Sequence, residues 1–273
     1  MEVFPIDRLD RLDKKVVKQF TGLTFLIAYG IAGALIVLGH YGYSVSNWIQ
    51  TVQEFLMNVP FSMYILSPAI ACYIVLKKNN KISGLWEWVK TVFYFRNNGL
   101  PYLYGIFVLA IYFGIHLFVN GNPKTILPLY YFLFYLPGAL FIGGLEEAGW
   151  MYILQPFLYE KYGFIRSSIF SGFIWTFWHI PLFFIAGTNH GDGKINFIMF
   201  VIQLFSFRFI HGAFYAISGK SVVFMSVLFH TLFNALSPVF TNITMTWIGT
   251  LVANSVLIVI AIATVALHKK KSE

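Results

Sequence analysis

Apolar residues in this chain come in long, nearly unbroken blocks, with neither the strict alternation of strands nor the one-sided stripe of helices on a soluble core. A helix rises ~1.5 Å per residue, so about 20 apolar residues cross ~30 Å of hydrocarbon. Eight blocks meet that requirement: Phe20 to Leu38, Phe55 to Leu76, Pro101 to Val119, Ile126 to Leu158, Ser167 to Ala186, Ile195 to Ile217, Val222 to Phe240 and Met245 to Leu267. The second contains Pro60 and Pro68. The fourth is too long for one straight crossing, so it is tilted, projects from the membrane, or is broken near Pro137-Gly138 or Gly143-Gly144. Ahead of the first block, Met1 to Gln19 interleaves Arg8, Arg11, Lys14, Lys15 and Lys18 with Ile6, Leu9, Leu12 and Val16. Without a small-residue cleavage site before a short apolar core, this is expected to be a retained membrane-surface segment. Ile82 to Phe95, flanked by Lys77, Lys78, Lys81 and Arg96, has the pattern of an interfacial helix.

Composition agrees with the pattern. Of 273 residues, 58% are hydrophobic and 11% charged, with a mean hydropathy of +0.70, which leaves too little polar surface to cover a soluble globule. The expected fold class is all-α, a polytopic membrane protein of about eight helices. Its transmembrane domain covers residues 20–268, between a cytoplasmic lead over 1–19 and a basic tail over 269–273. Cys72, the single cysteine, lies in an apolar block and is expected to pack, with no disulfide or redox role. The net charge of +8 is a matter of topology. With the N-terminus cytoplasmic, only Lys124 and Lys194 fall outside and Arg208 lies within a span, a strong positive-inside bias toward anionic lipid that makes nucleic-acid binding unnecessary. Both termini are then cytoplasmic, in a cell membrane.

Against this background six polar residues stand out. Glu146 and Glu147 are the only acidic residues within a span, and a charge near the bilayer centre costs about 2.5–3.5 kcal/mol even on lenient scales. Glu146 lies twelve residues before the cytoplasmic end of its block and His179 twelve after the start of the next, which puts both ~18 Å deep. His230, Asn234 and Arg208 reach depths of ~12–18 Å. His230 and Asn234 share a helix face, as do Trp175 and His179, whereas adjacent Glu146 and Glu147 diverge by ~100°. A Glu with a neutral His can hold and deprotonate a water, and a second His with an Asn amide offers donors to a developing oxyanion, an inventory suited to amide hydrolysis. Taken singly, such residues are ordinary interhelical glue. His116 and His211 fit packing or hydrogen bonding, the His190-Gly191-Asp192-Gly193 stretch a flexible outer loop too poor in ligands for a metal, and Trp150, Trp175 and Trp178 the walls of a cavity.

At these positions the chain resembles the CPBP or Abi family of intramembrane proteases, which includes the type II CAAX prenyl proteases. The family pattern of Glu-Glu-x-x-x-Arg, Phe or Trp-x-x-x-His and His-x-x-x-Asn reads here as Glu146-Glu147 to Met151, Trp175 to His179 and His230 to Asn234, within a core from about 127 to 238. The resemblance implies eight helices around a cavity open to cytoplasm and lipid, Glu146 and His179 activating water, His230 and Asn234 forming an oxyanion hole, and Glu147 in support. Met151 departs from the family's arginine, and Arg208 is the intramembrane cation available to replace it. The reading is thus a glutamate-type intramembrane endopeptidase acting on a membrane-associated peptide or protein, with no cofactor. Three alternatives stay open: a zinc-dependent form of the same reaction, a non-enzymatic immunity or binding protein, and a proton-coupled carrier using Glu146 and His179.

Overall fold

A computed structural model describes residues 13–46, 51–96, 98–120, 127–240 and 246–272, and among these the chain is helical with no strand. Most of the amphipathic lead therefore lies outside the described residues. Helix α1 (Lys14–Gly39) starts at the N-cap Asp13, whose side chain accepts from the Lys15 amide. It buries a stripe at Phe20, Thr24, Ala28, Ala32 and Leu35 while leaving Leu26 71% exposed. This polarity, small residues inward and large apolar ones outward, is what lipid solvation selects.

Span two is divided into α2 (Val52–Ile65), opened by a Thr51–Glu54 capping box, and α3 (Ser67–Lys78), bent by 57°. The bend falls at Leu66, immediately before the Ser67-Pro68 start of α3, whereas Pro60 lies inside α2. The interfacial segment is shorter than expected, α4 (Leu85–Val92), with Leu85 and Trp86 exposed and Trp88 and Val92 buried. Helix α5 (Leu100–Asn120) follows. Among the described residues, five helical runs qualify as membrane spans by length and apolarity, or six with the bent pair counted as one.

Two of those runs, Leu129–Phe184 and Phe197–Leu236, contain 56 and 40 residues. They are not straight. The first comprises α6 (Phe132–Phe141), a 3-10 turn at Gly144–Glu146, a short α7 (Glu147–Gly149), a π-helical turn at Trp150–Leu154, and α8 (Gln155–His179). Gly163 within α8 has φ 74° and ψ 178°, so no helix passes through it. Gln155 Nε2 donates to Ser167 Oγ across this point at 3.4 Å. A straight helix would hold residues twelve apart ~18 Å from one another, so the chain doubles back here. Gly219, with φ 53° between α9 (Phe197–Ser218) and α10 (Val222–Leu236), makes a second reversal that lets Phe214 meet Phe229 and Phe207 meet Phe233. α11 (Trp247–Ser272) packs against α9 and α5.

Breaks in helices free backbone carbonyls, and in hydrocarbon each needs a partner. At the end of α8, Tyr29 of α1 donates to the Phe177 carbonyl at 2.6 Å and Tyr64 of α2 to that of Trp178 at 2.8 Å. Trp178 also stacks on Tyr64 and donates its indole N–H to Ser67. Gly149 lets α7 lie directly on α3, since a Cβ there would come within 2.4 Å of the Pro68 carbonyl oxygen. Cys72 is fully buried in the packed interior.

Candidate active site

The long fourth span is broken at Gly143, not at Pro137, which lies within α6. With φ 127° and ψ −62°, Gly143 has a backbone closed to residues bearing a Cβ. The break ends α6 at the Ile142 amide bond to the Gly138 carbonyl and restarts the chain as a 3-10 turn carrying Glu146. The following π-turn, a form concentrated at functional sites, re-aims the next side chains inward, so that residues 146–154 are all buried. Reversal at Gly163 then brings Trp175 of α8 back to Glu146, and reversal at Gly219 brings His230 of α10 opposite His211 of α9.

The two carboxylates are differently partnered. Glu147, fully buried, receives Arg208 Nη1 on Oε2 at 3.0 Å, and on Oε1 it faces His230 Nδ1 at 3.2 Å and His211 Nε2 at 3.7 Å. Arg208 is itself spanned by contacts: Nε donates to Ser171 Oγ at 3.3 Å, and Nη2 to Gln155 Oε1 at 3.3 Å and to Met151 Sδ at 3.5 Å. Its guanidinium carbon lies 5.4 Å from the centre of the Trp175 ring. Glu146 accepts from Trp175 Nε1 at 3.0 Å and has His230 Nδ1 at 3.4 Å, and among the described residues no Lys or Arg pairs with it. Glu147 is thus the compensated carboxylate and Glu146 the less encumbered one.

His179 is 7% exposed and hydrogen-bonds through Nδ1 with the Trp175 carbonyl at 2.8 Å, so that carbonyl accepts and Nε2 carries the free lone pair. Among the described residues no hydrogen bond or ion pair joins His179 to Glu146. Asn234 Nδ2 donates to the Ile142 carbonyl at 3.0 Å, which leaves its second amide hydrogen free. A Cβ on Gly143 would fall 2.0 Å from Asn234 Nδ2 and 3.2 Å from His230 Nε2. The two nitrogens therefore converge on the bare backbone at Gly143, a place only glycine leaves accessible.

Of the supporting residues expected from sequence, Glu147, Arg208 and Trp175 sit in this cluster, whereas Trp150 packs on Phe20 and Trp178 and reaches neither carboxylate. Met151, at the arginine position of the motif, touches the guanidinium that Arg208 delivers from another helix. His211, expected from sequence to pack or hydrogen-bond, faces Glu147. Its spacing of three from Arg208 puts both on one helix face, a signal available in the sequence. Gln155 and Ser171 carried no such signal, because amides and hydroxyls are common in membrane helices. His116 lies apart, against Tyr112.

Glu146, Glu147 and His230 each present an atom within 4.8 Å of the others, a grouping able to gather round an ion. A tetrahedral zinc site needs three or four free donors at ~2.0–2.2 Å. Here Glu147 Oε2 carries a guanidinium and Glu146 Oε1 an indole N–H.

Beside the cluster, an apolar cleft of about 410 Å³ runs between α6 and α10, lined by Phe93, Leu136, Phe141, Phe224, Val227 and Thr231 among others. Thr231, one of the lining residues, abuts Gly144, where a Cβ would come within 2.0 Å of Thr231 Oγ1. Compared with known families, residues 127–236 match the model described as type II CAAX prenyl endopeptidase Rce1-like. No curated protein matches the chain in sequence.

Proposed function

We propose, from the premise that through residues 127–236 this chain belongs to the CAAX protease-like family, that it is an intramembrane endopeptidase which hydrolyses a peptide bond of a membrane-associated peptide or protein with a water activated by Glu146 and His179. The observation that carries this reading is the meeting of all three motifs in one buried cluster in which only one carboxylate is neutralised. Glu146 serves as general base. His179, its Nδ1 engaged, offers Nε2 to the same water. His230, as an imidazolium whose Nδ1–H rests on Glu147, donates from Nε2 beside the free Asn234 amide hydrogen, and the two, converging at Gly143, receive the oxyanion as the tetrahedral intermediate forms. Glu147 with Arg208 holds His230 Nδ1 and keeps the buried charges balanced, since an uncompensated carboxylate in this layer is costly. The proton taken by Glu146 passes to the leaving amine.

The membrane arrangement follows the same reading. The reversals at Gly163 and Gly219 divide the 56- and 40-residue runs into two arms each, and with α1, the bent α2–α3 pair, α5 and α11 this makes eight crossings. An even count puts both termini on one side, and the basic segments favour the cytoplasm for that side. The apolar cleft lined in part by Thr231 gives a lipid-borne substrate a lateral approach.

A metal-dependent version of the same hydrolysis is the second reading, favoured by the Glu146, Glu147 and His230 grouping. The guanidinium on Glu147 and the indole N–H on Glu146 support the metal-free one, because a divalent cation would have to displace both. The test is mass-spectrometric mapping of cleavage sites in membranes containing wild-type or Glu146→Gln protein. New peptide termini that depend on Glu146 and survive chelation are expected. Termini lost on chelation and regained with zinc would select the metal version, and identical termini in both samples would end the enzymatic reading.

A further inference from the structure

The two groups assigned to the attacking water, Glu146 and His179, share no direct bond, yet one residue touches both. Trp175 Nε1 donates to Glu146 Oε1 at 3.0 Å, and the Trp175 carbonyl accepts from His179 Nδ1 at 2.8 Å. We infer that Trp175 is a positioning residue, a clamp that selects which carboxylate oxygen and which imidazole nitrogen face the water; the inference rests on the endopeptidase reading above.

The geometry makes the selection specific. With Oε1 held by the indole, Oε2 is the glutamate oxygen left to take a proton. With Nδ1 held by the carbonyl, His179 presents Nε2 as an acceptor. Trp175 and His179 are four residues apart on α8 and so lie on one face, which lets a single residue serve one group through its side chain and the other through its backbone. The indole itself has no room to turn. It is 2% exposed, it meets the rings of His179, His230 and His211 edge-on at centroid distances of 4.9, 5.7 and 6.1 Å, and its face lies against the Arg208 guanidinium. Trp178, three residues on, supplies the contrast: its ring lies on Tyr64 and edge-on to His179, but its N–H goes to Ser67, so it ties α8 to α2 and α3 and gives neither carboxylate a hydrogen bond. Packing alone is served by any large ring. Only the N–H of residue 175 reaches Glu146.

The test separates the bond from the bulk. Full-length protein in detergent micelles, labelled with ¹⁵N at the tryptophan indoles, is compared with Glu146→Gln; the Trp175 resonance, assigned through Trp175→Phe, is expected to move, and that of Trp178 to stay. On a peptide spanning the mapped cleavage site, Trp175→Phe and the isosteric replacement of Trp175 by 3-benzothienylalanine, which keeps the ring and lacks the N–H, are expected to lower kcat roughly 10- to 100-fold, the worth of a hydrogen bond to a charged group. KM is expected to hold within about twofold. A Trp175 resonance indifferent to Glu146→Gln, or wild-type kcat in the isostere, overturns the clamp. If the resonance moves but wild-type protein cleaves nothing, the bond stands and the endopeptidase reading falls instead.

Discussion

Replacing Arg208 by leucine removes the cation from a pair in which Arg208 is 1% and Glu147 0% exposed, at 3.0 Å. The size of the effect follows from what is left behind. Glu147 keeps its burial and loses its neutralising partner, and breaking a buried pair in this way costs about 3–5 kcal/mol. Within that loss the Ser171 hydroxyl and the Gln155 carbonyl each forfeit a bond of roughly 1 kcal/mol or more. Because Met151 Sδ already touches Nη2, a side chain starting at position 151 can deliver a guanidinium to the same place from the other side. Three variants thus make a set: Arg208→Leu, Arg208→Leu with Met151→Arg, and Arg208→Leu with Glu147→Gln. Denaturant titration in mixed micelles, followed by tryptophan fluorescence, reads them out. The single variant is expected to lose about 3–5 kcal/mol, and each double variant to recover about half or more. A loss under about 1 kcal/mol for Arg208→Leu, or no recovery in either double variant, would refute the claim that Arg208 neutralises Glu147 in place of a motif arginine.

Other expectations follow from single contacts. Gly143→Ala places a methyl group 2.0 Å from Asn234 Nδ2 at a φ of 127°, so it should cost about 1–3 kcal/mol in the same titration and abolish cleavage, whereas Gly114→Ala, in open space, should do neither. Asn234→Ala removes one oxyanion donor and should leave activity reduced ~10²–10³-fold, while Glu146→Gln should leave almost none; equal turnover in the two would contradict their separate roles. Reporter fusions after Lys81 and after Lys271 should both read cytoplasmic, and an external reading at either would remove the eight-crossing arrangement.

Much of this was readable along the chain because the bilayer imposes a one-dimensional code. Apolar blocks of crossing length gave the all-helical class and the multi-pass membrane setting, and the Lys and Arg positions carry the expected orientation. The cost of intramembrane charge singled out Glu146, Glu147 and Arg208, and residue spacing with helical rise put His179, His230 and Asn234 at a common depth. What periodicity does not contain is rotation and proximity. Which carboxylate takes the guanidinium depends on how α9 turns relative to the break at Gly143, and the answer is Glu147. That His211 faces the same carboxylate, that Trp175 bridges Glu146 and His179, and that Trp150 turns away toward Phe20 are outcomes of packing among four separate segments. Of the two prolines in span two, Pro68 sits at the break and Pro60 does not, and the break is where packing gathers: Gly149 brings α7 onto the Pro68 carbonyl, and Tyr64 reaches the end of α8. A sequence states what a lipid environment will tolerate at each depth; which polar atoms then meet is settled by helix contact, because only close packing fixes the rotation of each helix about its axis.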